Sequence, residues 1–118
     1  MNEAEIKEYL NSEGALARIG KNAKLLKRLL MKFLEDTPKQ FEQLKREIAE
    51  NDRAAAAKSV HTLKGVAGNL SMTKLFELSP PFEALLKTGD DASATFAEYS
   101  AVYEKTLEAA NAVVANLP

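Results

Sequence analysis

The chain has no cysteine and no tryptophan, and only one histidine among its 118 residues. Without cysteine there is no disulfide framework, no thiolate nucleophile and no cysteine zinc site, and a reducing cytoplasm is the expected setting. A lone histidine argues against a histidine-rich metal site, and neither a metal ion nor a cofactor is expected on this chain. No apolar run approaches the roughly 20 residues that span a bilayer, and the opening MNEAEIKEYL lacks the basic segment and apolar stretch of a secretory signal. The expectation is a soluble protein with no membrane partner. Charge of one sign is also lacking: the net charge is -1, and the aromatics, 7% of residues, are spread at core spacing rather than forming a base-stacking platform. Nucleic acid is therefore not an expected partner. Alternating strand-like runs are missing too, and with them a glycine-rich phosphate loop after a strand; no metal-ligand cluster or Ser/His/Asp set stands out.

Apolar residues, 46% of the chain, recur instead at spacings of three and four, so the fold reads as all-α. The length suits one domain with a single core, residues 1–118. EAEIKEYLN and GALARIG are short openers, the second ending at Gly20 as a left-handed residue after the helix. From the cap Asn22 a long helix carries Leu26, Leu30, Phe33, Phe41, Leu44 and Ile48, with Pro38 predicting a kink or a break near Thr37. Asn51 or Asp52 caps a helix from about Arg53 to Leu70. Ser71 can cap a short helix through Leu78, and SPPF supplies a second cap followed by first-turn prolines, so this region reads as two short helices or one kinked one. TGDDAS is a loop, and a last helix from about Ala92 aligns Phe96, Tyr99, Tyr103, Leu107, Ala110, Val114 and Leu117. The sum is an antiparallel four-helix bundle with short N-terminal helical additions.

The histidine lies in VHTLKGVAGNL, residues 60–70. At about 100° per residue, Ala56, Val60, Leu63, Ala67 and Leu70 share the arc that must face the core. His61, Lys64, Gly65 and Gly68 fall on a strip away from it, extended by Ala54, Ala57 and Met72. Each glycine inside a helix costs roughly 1 kcal/mol relative to alanine, which calls for an offsetting benefit. Glycines can let a neighbouring helix pack closely, but this strip points away from the predicted core, so the reading is clearance beside the imidazole. From Arg53 to Phe76 there is no carboxylate, while Arg53, Lys58, Lys64 and Lys74 are cationic, a local imbalance suited to an anion. A neutral imidazole, with an unperturbed pKa near 6.5, can attack phosphorus without a general base.

HTLKGVAGNL resembles the signature of histidine-containing phosphotransfer (HPt) domains, the intermediates of bacterial multistep phosphorelays. GALARIGKNAKLLKRLLMKFLED is similar to the stretch leading into the long helix of HPt domains attached to hybrid sensor kinases, and the likeness covers roughly residues 13–88. Two departures stand out: Ser71 where many members have glycine, and Pro80 with Pro81 in a helix that is usually continuous. The resemblance implies a helical bundle whose exposed histidine takes a phosphoryl group from a receiver-domain aspartate and passes it to another. By position, His61 is the phosphoacceptor, Lys64 the cation beside the phosphoryl group, and Gly65 and Gly68 the small residues that give access. Ala54, Ala57, Lys58 and Met72 would meet the partner. The implied protein acts stoichiometrically, without its own substrate pocket, and the receiver brings the magnesium ion; with no apparent apolar surface stripe and no coiled-coil heptads, a cytoplasmic monomer is expected. A receiver-docking module that accepts no phosphate, and a histidine domain phosphorylated directly by a kinase ATP-binding domain, remain as alternatives.

Overall fold

Asparagine or aspartate opens four of the six helices. The side chains of Asn2, Asn11, Asn22 and Asp52 accept the amides of Glu5, Gly14, Leu25 and Ala55 at 2.9–3.3 Å, satisfying donors that the first helical turn leaves unpaired. The computed structural model describes residues 1–118, in the order α1 (Glu3–Tyr9), α2 (Ser12–Arg18), α3 (Ala23–Ala49), α4 (Arg53–Asn69), α5 (Thr73–Thr88) and α6 (Ser93–Ala115), with no strand. Gly20 and Gly89 take φ of 65° and 81° just beyond α2 and α5, the left-handed conformation that ends a helix without a Cβ clash.

α3, α4, α5 and α6 pack in a closed cycle, each against the next and α6 back on α3, while α1 lies on α5 and α6 and α2 on α3. Contacts run in opposing order along neighbours: Phe33 and Phe41 of α3 meet Tyr103 and Phe96 of α6, and Ser79 and Phe82 of α5 meet Tyr99 and Phe96. The 22 buried apolar residues form one cluster. At its centre Phe41 stacks on Tyr103 with ring centroids 4.3 Å apart. The two buried phenols are not stranded. Tyr99 pairs with Ser79 at 3.1 Å and Tyr103 with Thr37 at 2.9 Å, and each partner hydroxyl also donates to the carbonyl four residues back, Leu75 or Phe33. Burial pushes the Tyr99 phenol up to about 12.

The expected break near Thr37 and the reading of the segment after Ser71 as two short helices are corrected. α3 runs unbroken through Pro38, and Thr73–Thr88 is one helix containing Pro80 and Pro81. All three prolines are exposed, flanked by the buried Thr37, Phe41, Ser79 and Phe82. Packing on either side holds the helix where propensity would end it, and solvent can serve the carbonyls that lose a donor. Ser71 is not a helix cap either: it takes φ of 54° two residues before α5, and its carbonyl accepts the Asn11 amide at 3.0 Å. That left-handed backbone is where glycine would be at ease.

Candidate functional site

α4 sets the histidine by its own periodicity. Ala56, Val60, Leu63, Ala67 and Leu70 are all at most 6% exposed, which fixes the rotation of the helix and turns His61 outward, its side chain 67% exposed. Gly65 lies on the same outer face, and a Cβ built there meets nothing within 4 Å. Lys58 and Ala54 are exposed there too.

Two members of the expected strip are not on the surface. Ala57 is 2% exposed and Met72 is fully buried, because α5 folds back along α4 and covers the edge of the strip that they occupy. Gly68 is corrected for the same reason: a Cβ there would stand 3.0 Å from the Phe76 ring. Gly68 lets α5 lay an aromatic ring on the backbone of α4, so close packing explains this glycine, whereas the space at Gly65 is open. Phe76 itself is 40% exposed, and the Lys64 ammonium sits over its face, 5.6 Å from the centroid.

The acid-free stretch of sequence is not acid-free in space. Glu83 of α5 places Oε2 3.3 Å from Nδ1 of His61 and Oε1 3.0 Å from Nζ of Lys87. Burial works to raise the Glu83 carboxyl, but its bonds to Lys87 and His61 and their charges outweigh this and hold it below its ordinary 4.5. Near neutral pH it is an ionised, acceptor-only group, so Nδ1 carries the proton of their bond. In the neutral ring the lone pair then lies on Nε2. Two of the four expected cations are engaged elsewhere. Arg53 donates to the carbonyls of Leu85, Leu86 and Asp90 at the end of α5, and Lys74 pairs with Glu8 of α1 at 3.3 Å.

Glu83 escaped the sequence reading because it lies beyond the Arg53–Phe76 segment judged by its charge, and Phe76 because that segment was read for charge and not for packing. A signal existed. His61 and Glu83 are each 11 residues from Met72, and Gly68 and Phe76 each four, so a helical hairpin centred on Met72 pairs them. Leaving this segment open between two short helices and one kinked one hid that register.

An outward imidazole thus stands at mid-helix, with a lysine one turn on and a bare glycine beside it. Residues 28–113 match the Hpt domain. The chain belongs to the Hpt domain family. No curated protein and no solved structure matches it. Membership of the Hpt family assigns the chain to histidine phosphotransfer in two-component phosphorelay signalling, with receiver domains as the class of partner. No helix of this Hpt domain is long and apolar enough to cross a membrane. A cleft of about 730 Å³ lies between α2, α3 and α4, and none of His61, Lys64 and Glu83 lines it.

Proposed function

We propose that His61 is the phosphoacceptor, that Nε2 is the attacking atom, and that the group comes from one receiver aspartate and leaves to another. The observation that carries this is the bond from Nδ1 to Glu83, which presents the other ring nitrogen, with its lone pair, to solvent. In the forward step Nε2 forms the N–P bond while the acyl phosphate P–O bond breaks, and the receiver carboxylate keeps the electron pair. Nδ1 retains its proton, so the phosphorylated ring gains positive charge, which the Glu83 carboxylate beneath it offsets. No general base is needed. Because the transition state is loose and highly charged, positioning and electrostatics carry most of the catalysis. Lys64, one turn along α4, supplies a mobile cation that can swing from the Phe76 face to the phosphoryl oxygens. Gly65 leaves room for the receiver's acyl phosphate, and magnesium is supplied by the receiver. Ala54 and Lys58, exposed on the same face, would border the docked partner. The domain works stoichiometrically, one phosphoryl group per His61, as a cytoplasmic monomer.

The test charges receiver domains with a small-molecule phosphodonor and magnesium, adds the wild type or His61→Gln, and follows acid-labile phosphate. Label on the wild type alone is expected, with unchanged helical circular dichroism in the variant. Equal label on both would overturn the assignment of His61. Binding without transfer would make the chain a docking module, and labelling only by a kinase ATP-binding domain would replace the receiver as donor.

A further inference from the structure

Six ion pairs occur in the molecule, and Glu83 is the one acid that takes part in two of them. It is also the most sheltered, its side chain 14% exposed against 43–64% for the other four. One oxygen faces the imidazole and the other faces Lys87, which lies one turn further along α5 in the favourable Glu-before-Lys order. That division has a chemical consequence. A carboxylate alone beside an imidazole orients the ring but also favours its protonated form, and an imidazolium has no lone pair with which to attack phosphorus. Orientation and nucleophilicity are then in conflict, and a cation on the far oxygen relieves the conflict without moving the near one.

We propose that Lys87 is a positioning residue for His61 that acts through Glu83: its ammonium holds the carboxylate in place across the α4–α5 contact and weakens its pull on the imidazole proton. The inference rests on His61 being the phosphoacceptor. The other charged groups near α4 do not duplicate this role. On α4, Lys58 and Lys64 make no ion pair, and Arg53 binds the carbonyls ending α5. On α5, Lys74 is engaged with Glu8. On α3, Glu47 bonds to Ser59 of α4 at 2.6 Å, and Lys39 lines a shallow cleft with Thr62.

The experiment follows the imidazole nitrogens of the full chain by ¹H–¹⁵N correlation across pH 5–9, and measures acceptance from a phosphorylated receiver at pH 6.5 and 8.5. In Lys87→Met the ring's titration midpoint should rise by a few tenths of a pH unit relative to wild type. Acceptance should slow about twofold at pH 6.5 and by less at pH 8.5, two units above the ordinary midpoint of an imidazole. Lys87→Arg should restore both readouts. In a Glu83→Gln background the same lysine substitution should shift the midpoint by less, since the coupling runs through the carboxylate. An unmoved or lowered midpoint, or equal slowing at both pH values, would overturn the proposal. Because the midpoint is read on unphosphorylated protein, it is independent of the phosphoacceptor assignment, which fails instead if His61 takes no label.

Discussion

Gly65→Ala should make this protein more stable and worse at its task. The residue sits inside α4, and a Cβ added to it meets no atom within 4 Å. The substitution therefore gains helix propensity, about 0.8–1 kcal/mol, with no steric cost within the molecule. With an unfolding entropy of about 2 cal/mol/K per residue over 118 residues, 1 kcal/mol corresponds to a rise of about 4 °C in Tm. On the proposed function, the added methyl group occupies the space beside the imidazole that a receiver's acyl phosphate would enter. Misplacing the reacting atoms by about 1 Å can cost on the order of 100-fold in rate, so transfer should slow by roughly 10- to 100-fold. Gly68→Ala is the internal control. Its Cβ would press on the Phe76 ring at 3.0 Å, so the propensity gain should be largely cancelled and its Tm should rise less than that of Gly65→Ala. Differential scanning calorimetry and single-turnover transfer from a phosphorylated receiver measure the two halves. A Gly65→Ala protein that melts higher and still accepts phosphate at the wild-type rate would refute the clearance argument, and a lower Tm would refute the reading of the open space.

Lys64→Ala should slow acceptance while His61 is still modified; an unchanged rate would make Lys64 a packing partner of Phe76 only. Arg53→Ala removes bonds to the carbonyls of Leu85, Leu86 and Asp90 and should cost about 1–3 kcal/mol, with faster amide hydrogen exchange confined to the end of α5. Glu83 is held below its ordinary 4.5, so its interactions stabilise the fold above that value and are lost as pH falls through the lowered one. Glu83→Gln should accordingly flatten the acid limb of a denaturation series relative to wild type. At the alkaline end the Tyr99 phenol, raised to about 12, keeps its proton in the folded state while the unfolded chain loses its own near 10. Stability should fall between those two values, and Tyr99→Phe should weaken that fall.

The helical class, the face that α4 buries and the outward histidine are legible in the sequence because they follow from local periodicity, which burial enforces residue by residue. The caps Asn22 and Asp52 are legible for a related reason: a side chain that bonds an amide three residues on needs nothing from the rest of the fold. The prolines mislead because propensity weighs a residue alone, whereas Pro38, Pro80 and Pro81 sit on the solvent side of helices pinned from within. The site is half legible. His61, Lys64 and Gly65 come from one helix. Glu83, Lys87 and Phe76 come from its neighbour, and placing them needs the register of the α4–α5 hairpin, which depends on a left-handed serine that no propensity favours. The same missing register put Ala57 and Met72 on a surface that α5 in fact covers.

That hairpin bears on how the protein is made. Every side chain argued to touch or steer the reacting imidazole lies between Arg53 and Thr88, on two helices joined by a three-residue turn. Contacts between residues so near in sequence are closed at small entropic cost and are favoured early in folding. α1, which packs on α5 and α6, and the chain termini can fray or reform without taking the imidazole's neighbours with them. The candidate site is in this sense the most locally encoded part of the molecule, a two-helix unit that the rest of the bundle steadies.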